Sequence, residues 1–122
     1  AAHWRIIGIS EYIFRHMMTQ RKTSRPGALD HRTAGHVAEL FRAFSDPSRV
    51  RLISLLADRE MNVGALAKAV GISESAVSHH LRGLRQMRLV RPRKEGRQVY
   101  YHLDDDHVAA LFRQGLDHVQ HG

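Results

Sequence analysis

The sequence predicts a mainly α domain that carries one β-hairpin. Three observations predict it: apolar residues recur at helical spacing after residue 33, cap and stop residues cut that pattern into short helices, and a Val- and Tyr-rich stretch around a glycine interrupts it. With 122 residues and 43% apolar content, the chain makes one compact domain with a sizeable core. Nineteen Lys and Arg against twelve Asp and Glu give a formal charge of +7. The resulting pI near 10.8 suits a polyanionic partner, nucleic acid being the commonest. The sequence has no cysteine, which removes disulfides, thiolate metal sites and cysteine nucleophiles together. Any metal must therefore bind through His and carboxylate. No apolar run approaches the roughly 18 residues of a membrane span or resembles a secretory signal, so the expectation is a soluble cytoplasmic protein with no membrane partner.

Composition changes abruptly near residue 18, where His16-Met17 is followed by Met18 and then by the polar "RKTSRPGALD". Residues 1–17 are therefore read either as an expression remnant or as a native arm packing Trp4, Ile7, Tyr12 and Phe14 on the domain or on a second subunit. The residues do not choose between the two, and His3 and His16 receive no functional role. Residues 18–32 are expected to form a flexible lead into a domain spanning 33–121.

Within that domain, Val37, Leu40, Phe41 and Phe44 mark a first helix. In "SDPSRV" the pattern stops and restarts, with Asp46 as N-cap and Pro47 at the first helical position of a second helix running to about Asp58. Asn62 caps a short third helix, "VGALAKAV", ended by Gly71 in the position that favours a left-handed residue, and Ser73 caps the next. Helix, brief glycine turn, helix is the spacing of a helix-turn-helix. In the helix from Ser73 to Met87, Val77, Leu81 and Leu84 define the buried face, while Ser75, His79, Arg82 and Gln86 lie opposite with Ser78 beside them. Such side chains, with that of Ser73 at the cap, suit base edges and phosphates in a major groove, although a solvated face would look similar. His80 lies nearer the buried side and is expected to pack and hydrogen-bond. The following "RLVRPRKEGRQVYYHL" reads as a hairpin turning at Lys94-Glu95-Gly96-Arg97. Arg91, Arg93, Lys94 and Arg97 can neutralise phosphates beside the groove, or simply guard an exposed strand edge.

"FSDPSRVRLISLL", "LAKAVGISESAVSHHLRGLRQMRLV", "RKEGRQVYYHL" and the closing "DDDHVAALFRQGLDHVQHG" together resemble the ArsR/SmtB family of metal-responsive bacterial repressors, over about residues 33–121. The resemblance implies a homodimeric winged helix-turn-helix that represses metal efflux or sequestration genes from operator DNA and leaves it when metal binds. A two-fold dimer of such units suits an inverted repeat. The family's D-x-H-x10-H-x2-H pattern falls on Asp105, His107, His118 and His121, and points to zinc, with cobalt as a substitute. By the same resemblance, His118 binds metal through one ring nitrogen and donates from the other to backbone near Arg88, where recognition helix meets wing. The family's cysteine pair is absent from "MNVGALAKAV", which disfavours sensing of arsenic, lead or cadmium through thiolates.

Helix geometry constrains how those ligands meet. Eleven residues from His107 to His118 return to within about 20° around the axis but rise about 16 Å, so one helix cannot bring all four groups to one ion. Two antiparallel helices of a dimer can, with Asp105 and His107 of one meeting His118 and His121 of the other. Val108, Leu111, Phe112, Leu116 and Val119 form an apolar stripe beside the ligands and are read as the dimer interface. Tetrahedral nitrogen and oxygen ligation favours zinc; nickel would recruit more ligands, with His3, His16 and His31 as candidates. Two other classes are compatible with the sequence: a metal-independent winged-helix DNA binder, and a zinc hydrolase. Four protein ligands fill the shell a hydrolase would need open, so no enzyme is expected.

Overall fold

The computed structural model describes residues 27–121, and the reading of residues 1–17 and of the segment up to 26 lies outside them. Five helices and three strands follow in the order α1 (His31–Ala43), α2 (Pro47–Leu56), β1 (Met61–Asn62), α3 (Val63–Val70), α4 (Glu74–Gln86), β2 (Val90–Glu95), β3 (Gln98–Leu103) and α5 (Asp106–His121). Helix α1 begins two residues before the expected boundary, and α2 ends at Leu56 rather than near Asp58. Among the described residues no helix is long and apolar enough to cross a membrane.

Caps set the helix starts where the sequence signals them. Asp46 accepts from the Ser48 and Arg49 amides at 2.7 and 3.2 Å, Asn62 from Ala65 at 2.8 Å, and Ser73 from Ala76 at 3.0 Å, each satisfying donors that a first turn leaves open. Gly71, at φ 79°, ends α3 in the left-handed region, and Arg51 donates to the Val70 carbonyl at 3.0 Å, a cation on the negative end of the helix.

Leu52, Ile53 and Leu56 of α2, Leu66 and Val70 of α3, and Val77, Leu81 and Leu84 of α4 interlock with Leu89, Val90 and Val108 in one core. Burying each such side chain contributes about 1.5–3 kcal/mol. This core fixes α4 against α2 and α3 with its opposite face outward. The wing hairpin pairs Glu95 with Gln98 across Gly96-Arg97. Of those two loop residues only Gly96 has positive φ, at 61°, as in a type II′ hairpin turn. A third strand, which the sequence did not announce, completes the sheet in the order β1-β3-β2, with Met61 opposite Tyr101.

Candidate nucleic-acid interface and metal ligands

Helix α4 presents Ser75, Ser78, His79, Arg82 and Gln86 to solvent, with Ser73 at its cap also exposed. All six predicted groove residues thus share one accessible surface. His80 is half-buried and accepts from Arg49 Nε at 3.2 Å through Nδ1, which makes it the packing residue its position suggested. The Arg49 side chain lies over Gly83. An added Cβ there would meet its guanidinium at 2.6–3.0 Å, so glycine leaves room for the Arg49 side chain to lie across α4. The Asp46 carboxyl, held by the Arg49 amide, by that of Ser48, and by the nearby His80 and Arg49 charges, sits below its ordinary pKa.

The wing's basic residues are not equivalent. Arg93 donates to both oxygens of Glu60 at 2.8 and 3.1 Å, pairs with Glu95 at 3.1 Å, and lies 5.2 Å from the centre of the Tyr100 ring. The Arg93 hydrogen bond holds the Glu60 carboxyl below its usual range, and Glu60 in turn raises Arg93. Arg91 pairs with Asp104 at 3.3 Å. Lys94 and Arg97 have no ion pair among the described residues. In the sequence all four look alike, as phosphate contacts or as guards of a strand edge, because Glu60 lies 33 residues from Arg93 and meets it only through folding.

The recognition helix ends in a way the sequence rules did not anticipate. Arg88 takes φ 58°, while its amide bonds to Arg85 O at 2.9 Å and the Leu89 amide to Leu84 O at 2.9 Å, together a Schellman cap. Glycine is the usual residue there, and an L side chain costs about 1–2 kcal/mol.

At the start of α5, Asp105 accepts from the Val108 amide at 3.3 Å and brings its other oxygen to 3.2 Å from His107 Nδ1. One carboxylate oxygen and one imidazole nitrogen are therefore adjacent, a donor pair that fits zinc. His118 and His121 occupy the opposite end of the helix, where His121 Nε2 lies 3.5 Å from Asp117. Among the described residues no three metal-capable side chains of one chain converge, and no hydrogen bond joins His118 to Arg88. The apolar stripe divides. Val108 is only 4% exposed and belongs to its own chain's core, where the first turn of α5 lies over α2 and the sheet, and Phe112 packs against that core. Phe112 also lines a groove of about 620 Å³ together with Leu111, Leu116, Val119, Phe41, Phe44 and His118.

A helix-turn-helix with an exposed polar face and a basic hairpin beside it defines a winged-helix DNA-binding protein. The model "Bacterial regulatory protein, arsR family" matches residues 46–91, the span from the α2 cap into the wing. The chain is 48% identical over 103 residues to the "Transcriptional repressor SmtB homolog" of Synechocystis sp., covering 84% of this chain and 78% of that protein. It is 40% identical over 83 residues to the "Cadmium resistance transcriptional regulatory protein CadC homolog" of Staphylococcus aureus, covering 67% and 69%. Among solved structures, the homodimeric winged helix-turn-helix DNA-binding domain of Mb0332 from Mycobacterium bovis matches with a TM-score of 0.68 at 31% identity, over 80% of this chain and 96% of that one. The chain belongs to the ArsR/SmtB family of bacterial transcriptional regulators: it is a DNA-binding repressor and not an enzyme.

Proposed function

We propose that the chain is a zinc-responsive repressor whose metal-free homodimer binds an inverted-repeat operator, and in which zinc held between subunits lowers DNA affinity and so derepresses metal efflux or sequestration genes. Helix α5 carries the reading: Asp105 and His107 stand at one end and His118 and His121 at the other, on a helix whose outer apolar side has no cover among the described residues. Helix α1 adds to it. A 13-residue helix is marginal alone, yet α1 buries only Ala43 and leaves Phe41 55% exposed, which calls for a second copy across the α1 and α5 groove. The Mycobacterium bovis structure is described as homodimeric, and the Staphylococcus relative's name ties it to cadmium resistance. Without cysteine, this chain offers only nitrogen and oxygen donors, the set that suits zinc, with cobalt as its substitute. When bound, zinc supplies a cross-link between helices of opposite subunits.

Titrating zinc into the complex of the chain with its operator, followed by fluorescence anisotropy, tests the reading. DNA should be released near two zinc ions per dimer. An affinity that zinc leaves unchanged would assign the chain to metal-independent regulators.

A further inference from the structure

We propose that Arg85, Arg88 and Arg91 form an oxyanion pocket that holds one backbone phosphate of bound DNA, at the junction of recognition helix and wing. A cavity of about 530 Å³ lies there, lined by these three arginines with Val90, Pro92 and Asp104. Asp104 compensates one of the three charges, through Arg91 at 3.3 Å. Among the described residues the side chains of Arg85 and Arg88 have no hydrogen-bond or ion-pair partner, so two guanidinium groups face one cavity with nothing to offset their repulsion. A phosphate oxygen is the ligand that a guanidinium fork binds best.

Two further observations support the assignment. Arg88 stands at the left-handed position of the helix cap, where glycine would be free of strain, and the strain is kept at the residue that brings a cation to the cavity. Arg85 lies within about 20° of Ser78 around the α4 axis and about 10 Å further along it, so it continues the flank of the exposed groove face. The DNA strand that separates the major groove under α4 from the groove beside the wing must cross between those two elements, and the pocket opens there. A phosphate held at this point fixes the register of helix and wing together without reading sequence.

The proposal rests on the DNA-binding reading, and its test separates the two. The salt dependence of DNA affinity is measured for the full chain and for Arg88→Gly and Arg85→Gln, on operator and on unrelated duplex. Arg88→Gly should fold and melt no lower than the parent, yet bind both duplexes several-fold more weakly, with the slope of log K against log salt shallower by about one. Arg85→Gln should do the same. A neutral methylphosphonate at the contacted phosphate should weaken the parent more than it weakens Arg88→Gly, which keeps Arg85 and Arg91 at the cavity. Unchanged affinity and slope in both variants, with the parent binding normally, overturns the pocket alone. Thermal stabilisation of the parent by inorganic phosphate that is lost in Arg88→Gly, with the slope unmoved, would assign the cavity to a small free anion and also overturn it. A parent that binds no duplex overturns the DNA reading with it.

Discussion

Arg88 and Gly83 show how single positions shape the reading surface. At Arg88 the left-handed conformation costs about 1–2 kcal/mol for an L residue, while glycine adds unfolded-state entropy of about 0.5–1 kcal/mol. Arg88→Gly should therefore raise stability by about 0.5 kcal/mol in urea denaturation; a clear loss would mean that the side chain contributes packing to the cap. At Gly83 two effects compete. Alanine gains about 1 kcal/mol of helix propensity, but its Cβ must displace the Arg49 guanidinium and break the bond to His80, which contributes about 0.5–1.5 kcal/mol. Because the displaced atoms end a flexible side chain, Gly83→Ala should change stability by less than about 1 kcal/mol, while the His80 ring resonances shift as its partner leaves. A loss above about 2 kcal/mol would show that Arg49 is locked in place. Neither position was legible in the sequence: cap rules look for Gly or Asn at Arg88, and a lone helical glycine does not say which side chain covers it.

At the scale of elements, helices were read well because their ends are chemically marked. Asp46, Asn62, Gly71 and Ser73 each act within three or four residues of themselves, so a short window contains the whole cause. Strand β1 escaped because two residues carry no alternating pattern and Asn62 also caps α3. The Glu60 to Arg93 pair escaped because only the folded sheet brings β1's approach and the wing together. That pair predicts acid behaviour. Arg93 lowers the folded-state pKa of Glu60 below the ordinary 4.5, so the carboxylate contributes stability that is present above that value and is lost as pH falls through the lower folded value. The melting temperature of the parent should therefore fall more between about pH 5 and pH 3 than that of Glu60→Gln. Parallel melting curves for the two proteins across that window would show that the exposed pair adds nothing.

For the whole molecule, the sequence marks an apolar stripe on α5, and the fold decides which of its residues stay exposed. Helical spacing alone makes Val108 part of the α5 stripe, whereas tertiary packing turns it inward and leaves Leu116 and Val119, 41% and 79% exposed, beside Phe41 of α1. The Gln114 side-chain oxygen is also buried there without a hydrogen-bond partner among the described residues. Zinc bound across such an interface can release DNA only if it favours the DNA-free arrangement of subunits over the bound one, and the two α4 helices must stay about 34 Å apart to match successive major grooves. Resemblance to the family gives His118 the connecting role, from the metal to backbone near Arg88, and Arg88 sits in the cap that fixes where α4 ends and β2 begins. His118→Gln, loaded with enough zinc to bind, should keep DNA affinity nearly constant. The parent should weaken within the roughly 5- to 150-fold range of ordinary allosteric coupling. Asp105→Asn and His121→Gln should need more zinc but reach the parent's weakening once saturated, because in the proposed site these two residues serve as ligands only. The measurement is DNA affinity with and without saturating zinc for each protein, with zinc occupancy checked separately by calorimetry. A zinc-loaded His118→Gln that releases DNA as the parent does excludes this route and leaves the angle between subunits, set by the cross-link itself, as the carrier of the signal.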